Sequence, residues 1–156
     1  MKLYFAYGSN LHLQHMKRRC PDSEPVAPAT LFGYVLTFRG NSKGYGVANI
    51  EPGKGKVFGA VYKVSEDDIE SLDVYEGYPR LYIRKDVRVK LANGKTVKAF
   101  AYVMNSGYKL ALPSHKYFDI IRTGYFNWEL PVESLYDAVG RITQAFFKKR
   151  LTCSLK

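Results

Sequence analysis

The chain has 156 residues, of which 46% are hydrophobic and 15% aromatic, which is enough apolar material for one packed domain. This composition argues against a largely disordered protein. Its net charge of +10 is compatible with a nucleic-acid partner, an acidic ligand or a solvated basic surface, and charge alone does not distinguish them. The two cysteines have no disulfide-framework or zinc-ligand spacing, and we recognise no apolar leader or membrane-length apolar run, so we expect a soluble cytoplasmic protein.

The first predicted elements are a strand and a helix that meet at Gly8. An aromatic, β-prone run ends there, and a helical pattern follows whose apolar stripe is formed by Leu13, Met16 and Cys20. Ser9 or Asn10 is the expected N-cap of this helix. Such a junction directs backbone N–H groups and the positive end of the helix dipole at one spot, which suits a carboxylate or a phosphate. The same residues also fit a plain capped turn.

The middle of the chain is predicted to be a run of strands with one helix between them. The predicted strands cover 30–38, 45–50, 56–64, 81–91 and 95–104. A proline-broken segment at 21–28 leads into the first of them, and a loop at 40–46 and a turn at 52–55 connect the first three. The helix is capped by Ser65 and ends at Gly77 and Pro79. Asn93-Gly94 is a strong signal for a tight hairpin turn.

One face of the strand at 81–91 is predicted to be apolar. The residues of that face are Leu81, Ile83, Val87, Val89 and Leu91, and only Lys85 interrupts the alternation. Two helices follow the strands, the first starting at Pro113-Ser114 and the second with Pro131 at its first position. This order of elements is typical of an α+β domain rather than of alternating βαβ units.

Several short motifs resemble chemical sites but fit structural roles better. Gly94-Lys95-Thr96 lacks the leading glycine of a P-loop and lies in a hairpin. His12 and His15 have no third ligand at a recognisable spacing, so a solvated helix face is expected. Cys20 falls on an apolar stripe and is predicted to be core, and Ser114 serves better as a helix cap than as a nucleophile beside His115.

Glu76 differs from the other acidic residues because tyrosines surround it in sequence. It stands at a helix end between Tyr75 and Gly77, with Tyr78 and Tyr82 shortly after. A carboxylate in such a setting is partly desolvated, which raises its pKa toward the range of a general base. The sequence alone leaves open the alternative of a surface glutamate at a helix terminus.

Two separated segments resemble the signatures of the γ-glutamylcyclotransferase-like superfamily. Residues 4–11 contain Tyr-Gly-Ser-Asn, and residues 72–82 read Leu-Asp-Val-Tyr-Glu-Gly-Tyr-Pro-Arg-Leu-Tyr. Segment 44–62 is similar to the family's paired central strands, and segment 101–131 is similar to its C-terminal third. We therefore expect the family domain at 1–140, followed at 141–156 by a helical continuation and a basic tail.

The resemblance implies a small mixed β-barrel with helices packed outside. It also implies an enzyme that releases 5-oxoproline and a free amine from a γ-glutamyl amine or peptide, by attack of the substrate's α-amine on its γ-carbonyl, with neither metal nor cofactor. The residues that match the family's glutamyl-binding loop are Tyr7, Gly8, Ser9, Asn10 and Leu11. Glu76 matches the acid/base, and Tyr82 and Tyr102 are expected to line the pocket.

A small γ-glutamyl molecule is the expected partner, and we expect neither a membrane nor a nucleic acid. The sequence leaves the leaving amine open: an amino acid, a peptide, the ε-amine of lysine or a carrier-bound amine. Because a shared fold does not establish activity, the alternative is a non-catalytic basic binding protein of the same fold, with RNA as its candidate ligand.

Overall fold

The computed structural model describes residues 1–40 and 44–155, so part of the loop predicted at 40–46 lies outside the described residues. The strands are β1 (Lys2–Ala6), β2 (Glu24–Gly40), β3 (Gly46–Val64), β4 (Tyr82–Leu91) and β5 (Thr96–Met104). The helices are α1 (Leu13–Arg19), α2 (Glu66–Glu76), α3 (His115–Asn127) and α4 (Val132–Ser154), and a single 3-10 turn covers Ser9–Leu11. No helix among the described residues has the length and apolar character needed to cross a membrane.

The five strands close into a barrel in the order β1-β3-β2-β4-β5. All neighbours are antiparallel except β1 and β5, which run parallel where Tyr4 lies opposite Phe100. Helix α4 packs on β2 and on α3, while α3 also packs on the 3-10 turn. These observations confirm the predicted α+β fold with a mixed barrel.

The core is one continuous cluster of buried apolar side chains drawn from every strand and helix. Its largest fully buried members include Phe5, Phe38, Tyr62, Tyr102 and Tyr125. Burial of a large apolar side chain contributes about 1.5–3 kcal/mol, so this cluster fixes the barrel firmly. Met16 and Cys20, the C-cap of α1, are fully buried in the same cluster, and the half-buried Leu13 packs against it, which confirms the predicted apolar stripe.

Strands β2 and β3 form one long antiparallel hairpin, which the sequence prediction divided into shorter pieces. The segment at 21–28 was predicted as a connection, but β2 already begins at Glu24 and contains both Pro25 and Pro28. A shift in register between Pro25 and Ala27 absorbs one residue there. A bulge accommodates proline because the ladder is interrupted where proline cannot donate an N–H.

The predicted turn at 52–55 does not end a strand either. Strand β3 runs through it, and its pairing with β2 shifts register between Phe32 and Tyr34. Gly53 and Gly55 lie close to the side chain of Val35, where a Cβ would come within 3.2 Å and 3.1 Å of it. The glycines therefore lie at an irregularity within a continuous strand and do not reverse the chain.

The remaining turn and cap predictions are largely confirmed. Ser65 and Asp68 form a capping box at the start of α2, and Gly77 ends the helix in the left-handed conformation with φ 65°. Gly94 has φ 87° in the hairpin between β4 and β5. The Ser114 hydroxyl caps α3 by accepting from the N–H of Tyr117, whereas Pro131 proves to be the N-cap of α4, one residue before the predicted position.

The face of β4 was predicted correctly only in its second half. Val87, Val89 and Leu91 are buried, but Ile83 is 40% exposed and Tyr82 only 4% exposed. The buried face of the strand therefore changes near its start, although its pairing with β5 continues without a shift in register. The hydroxyl of Tyr82 has a buried acceptor on that face, as described below.

Candidate active site

The chain leaves β1 at Ala6 and makes a tight 3-10 turn before α1. The N–H of Leu11 donates to the carbonyl of Gly8 (3.0 Å), and the N–H of His12 donates to the carbonyl of Ser9 (3.1 Å). His12, and not Ser9 or Asn10, caps α1, so the predicted N-cap is wrong. The 3-10 turn places the N-cap of α1 two or three residues later than expected, which frees the side chains of Ser9 and Asn10 for other contacts.

The 3-10 turn is held from behind by α3 and by the core. The indole N–H of Trp128 donates to the carbonyl of Leu11 (2.9 Å), and the Tyr62 hydroxyl donates to the carbonyl of Asn10 (2.9 Å). A Cβ on Gly124 would lie 2.5 Å from the Cβ of Leu11 and 2.8 Å from the backbone nitrogen of His12. Only glycine permits α3 to approach the loop this closely.

Helix α2 delivers Glu76 to the same place from the other side. Asn10 Nδ2 lies 3.4 Å from Glu76 Oε1, and Ser9 Oγ lies 2.9 Å from the Tyr75 hydroxyl. The left-handed Gly77 then turns the chain away immediately after Glu76. Two segments that are 66 residues apart in sequence thus meet through side-chain contacts.

A small pocket opens between these two segments. It is lined by Tyr4, Tyr7, Gly8, Ser9, Asn10, Ala48, Glu76 and Tyr102. Six of the residues singled out from the sequence therefore lie together: Tyr7, Gly8, Ser9, Asn10, Glu76 and Tyr102. The other two lie behind the lining, because Leu11 is fully buried and the Tyr82 hydroxyl donates to the carbonyl of Ala48 (2.5 Å).

The wall of the pocket is rich in buried phenols with fixed partners. Tyr7 donates to the carbonyl of Tyr102 (2.5 Å), and Tyr102 donates to Asp73 Oδ1 (2.7 Å). The Tyr4 hydroxyl accepts from Asn10 Nδ2 (2.9 Å). Burial raises the pKa of each of these three phenols above its usual value, so they remain neutral hydrogen-bonding groups around neutral pH.

Glu76 is the ionisable group in the pocket whose charge changes near neutral pH. Burial raises the pKa of its carboxyl to about 7, and the nearby guanidinium of Arg19 opposes that rise. At neutral pH the carboxyl is therefore present in both protonation states. A group of this kind can accept a proton and return it within one reaction cycle.

Sequence reasoning missed several side chains that complete the site. Arg19 donates to Asn10 Oδ1, and its guanidinium carbon lies 3.3 Å from the ring centroid of Tyr75. Asp73, one turn before Glu76, accepts from Tyr102 and lies 3.4 Å from the Nε of Arg84. No motif marks these residues, since each reaches the site only through the packing of its element on another.

The histidine pair and Cys20, two of the other motifs considered in the sequence, lie outside this pocket. The rings of His12 and His15 lie 4.2 Å apart, and within the described part of the chain no three His, Cys, Asp or Glu side chains are grouped closely enough to hold a metal ion. Burial raises the pKa of the Cys20 thiol to about 12, which removes it as a thiolate nucleophile at neutral pH.

Comparison with known proteins gives concordant results. Residues 4–127 match the model of the family described as gamma-glutamyl cyclotransferase, AIG2-like. The chain is 36% identical over 140 residues to gamma-glutamylcyclotransferase of Homo sapiens, covering 84% of this chain and 73% of the human protein. The corresponding protein of Mus musculus is 34% identical with the same coverage. A solved structure of a gamma-glutamyl cyclotransferase has a TM-score of 0.80 at 32% identity, covering 88% of this chain and 85% of that chain.

Proposed function

This chain belongs to the gamma-glutamyl cyclotransferase, AIG2-like family, and we propose that it releases 5-oxoproline and a free amine from a γ-glutamyl amine or peptide. One observation carries the proposal: the loop of Tyr7–Asn10 and the carboxyl of Glu76 line the same small pocket. The substrate is then a small molecule whose γ-glutamyl arm enters this pocket. The leaving amine stays outside it.

The reaction needs one new bond and one broken bond. The substrate's α-amine nitrogen attacks its own γ-carbonyl carbon, which closes a five-membered lactam through a tetrahedral intermediate. The bond from that carbon to the leaving nitrogen then breaks. The α-ammonium loses two protons on becoming the lactam N–H. The leaving nitrogen gains one of them as its bond breaks, and the second passes to solvent, from which the released amine is protonated, so the chemistry requires a proton carrier and no external nucleophile.

We assign the proton transfer to Glu76. Its carboxylate takes a proton from the α-ammonium, and its carboxylic acid returns that proton to the leaving amine. A pKa of about 7 suits both steps at neutral pH. Positioned acid–base catalysis of this kind is worth about 10²–10⁴-fold in rate.

We assign binding of the glutamyl end to the loop. The N–H groups of Gly8, Ser9 and Asn10 are proposed to hold the α-carboxylate, whereas the N–H of Leu11 is already bonded to the carbonyl of Gly8. Tyr7 and Tyr102 would shape the wall. Holding the arm in a folded conformation is the larger contribution, because good intramolecular orientation is worth up to about 7–11 kcal/mol.

Leu11 and Tyr82 are proposed to act indirectly. Leu11 packs the loop against Gly124, and the Tyr82 hydroxyl holds the carbonyl of Ala48, a residue that lines the pocket. We further propose the cytoplasm as the site of action, which suits a chain whose two cysteines, Cys20 and Cys153, are both free thiols in the described structure.

Measuring 5-oxoproline directly tests the proposal. The protein is incubated with a panel of γ-glutamyl donors: a γ-glutamyl amino acid, glutathione, γ-glutamyl-ε-lysine and a γ-glutamyl alkylamine. We expect at least one donor to give 5-oxoproline and free amine in equal amounts, while the matching α-glutamyl dipeptide gives none. Absence of product from every donor, with steeply salt-dependent RNA binding, would support the non-catalytic alternative.

A further inference from the structure

Arg19, the last residue of α1, connects the two halves of the pocket without lining it. Its guanidinium donates to Asn10 Oδ1 on one side. On the other side it stacks on the ring of Tyr75, whose hydroxyl in turn contacts Ser9 Oγ at 2.9 Å. The ring and the guanidinium together form a bridge between the end of α2 and the 3-10 turn.

This bridge determines which way the amide of Asn10 faces. A guanidinium has only donors, so the atom of Asn10 that contacts it must be the oxygen. The amide nitrogen then faces the Tyr4 hydroxyl at 2.9 Å and Glu76 Oε1 at 3.4 Å. Without Arg19 the amide is free to rotate and to present its oxygen to the carboxylate, which would repel it.

Among the described residues, Arg19 is also the cation whose charge lowers the pKa of the Glu76 carboxyl. The other titratable groups that interact with the Glu76 charge are phenols from the surrounding elements: Tyr4, Tyr7, Tyr82, Tyr102 and Tyr117. On α2 itself, Asp73 is engaged by Tyr102 and Arg84. The phenols are neutral near neutral pH, so the ionised carboxyl depends on Arg19 for its favourable charge.

We propose that Arg19, held on the ring of Tyr75, is a positioning residue that orients the Asn10 amide toward Glu76 and supplies a positive charge on the far side of that amide from the carboxyl. The inference rests on the proposed function, since it gives Arg19 a part in the same reaction. It assigns Arg19 no contact with substrate.

The test is the pH profile of kcat/KM for 5-oxoproline release by three variants. In Arg19→Gln the acid limb should move to higher pH, because the charge that favours the carboxylate is lost. We expect at least a ~10-fold loss at pH 6 and a smaller loss at pH 9. Arg19→Lys keeps the charge but lacks the flat fork, so its acid limb should stay near the parent's while kcat falls at every pH.

Arg18→Gln is the matched control, because Arg18 is an exposed neighbour on the same helix with the same charge. It should reproduce the parent profile. A uniform loss across pH in Arg19→Gln, with an unmoved acid limb, would overturn the proposal and leave Arg19 as a merely structural residue.

A second measurement does not depend on turnover. The Glu76 carboxyl carbon is titrated by NMR in protein labelled at glutamate, and its resonance is assigned by its absence in Glu76→Gln. Its midpoint should be higher in Arg19→Gln than in the parent and in Arg18→Gln. Equal midpoints would refute the inference, whereas a raised midpoint in a protein that turns over no donor would refute only the proposed function.

Discussion

At the scale of single residues, Glu76 depends on its surroundings for its chemistry. Burial among phenols raises the pKa of the carboxyl to about 7, while Arg19 keeps the ionised form accessible. A fully exposed glutamate would be ionised at neutral pH and too weak a base to be effective. The pocket therefore converts an ordinary side chain into a group that suits proton transfer at neutral pH.

The first prediction concerns the pH dependence of activity. Because Glu76 must be ionised to accept a proton, kcat/KM should rise with pH through an apparent pKa of about 7. The measurement is 5-oxoproline release at low donor concentration from pH 5 to pH 9. A rate that stays constant between pH 5.5 and pH 8.5 would contradict a base with this pKa.

The second prediction concerns stability, and its sign follows from the same raised pKa. The folded protein holds the Glu76 proton up to about pH 7, whereas the unfolded chain releases it near pH 4.5, so folding stability falls as pH rises between these values. Glu76→Gln has no proton to release. The Tm of Glu76→Gln minus that of the parent, measured by calorimetry, should therefore increase from pH 5 to pH 8.5.

Glu70→Gln is the matched control for that comparison, because Glu70 is an exposed residue on the same helix. Its Tm difference from the parent should not grow over the same pH range. If the Glu76→Gln difference is also independent of pH, the carboxyl is not desolvated in the folded protein.

The sequence indicated Glu76 correctly as unusual, because its tyrosine neighbours are visible in the chain. It could not indicate Arg19, since the bond from Arg19 to Asn10 spans nine residues and depends on how the 3-10 turn and α1 are joined. Likewise, the alternation on β4 predicted Tyr82 on the outward face. That side chain is buried instead, with its hydroxyl donating to the Ala48 carbonyl, a contact that alternation along one strand does not reveal.

At the scale of elements, the site depends on the close approach of α3 to the loop. Gly124 faces Leu11 and the backbone of His12 without room for a Cβ. This contact places the 3-10 turn, and with it Ser9 and Asn10, relative to α2. The 3-10 turn is therefore positioned by α3, although none of the residues that line the pocket belongs to that helix.

The third prediction is that Gly124→Ala lowers both stability and activity. A methyl group there must displace backbone atoms at 2.7 Å and 2.8 Å, and overpacking of this kind costs about 1–3 kcal/mol. That cost exceeds the gain of up to ~1 kcal/mol from replacing a helical glycine by alanine. Urea unfolding gives the stability change, and kcat/KM gives the effect on the loop.

Gly140→Ala in α4 is the matched control, because nothing lies within 4 Å of a Cβ at that helical glycine. It should be neutral or stabilising by up to about 1 kcal/mol, with unchanged activity. If both variants behave alike, the close approach of α3 has no part in shaping the loop.

Element boundaries were predicted well where local chemistry sets them and poorly where pairing sets them. The capping box at Ser65 and the left-handed Gly77 are local, and both were foreseen. The continuity of β2 and β3 through prolines and glycines was missed, since it comes from a partner strand that accepts the irregularities by shifts in register. Barrel closure came from the family resemblance, because strand order is not encoded in alternation.

At the scale of the whole molecule, one cluster of positive charge lies at the end of α4. The segment after Phe147 contains four basic residues and no acidic residue. Its described residues are exposed, and none of them lines the pocket. Helix α4 itself continues across position 140 without a break, so the basic segment extends an element that packs on the barrel.

The fourth prediction is that a chain cut after Phe147 retains nearly all of its turnover. The pocket residues all precede the cut, and the buried residues of α4, Leu135, Ala138 and Ile142, remain. We expect kcat/KM within about twofold of the full chain. The described residues that are removed are exposed and lie outside the pocket, and changes at such surface positions have little effect on the stability of the fold. Loss of most activity on truncation, in a protein that still folds by circular dichroism, would show that the basic segment takes part in substrate binding.

Glu76→Gln tests most directly whether Glu76 is the proton carrier of the reaction. Glutamine keeps the size of the side chain but cannot take a proton from the α-ammonium. With the best donor at pH 8, kcat should fall at least ~100-fold with KM changed little, while Glu70→Gln retains parent activity. Near-normal release of 5-oxoproline by Glu76→Gln would contradict the assignment of Glu76 as the acid/base.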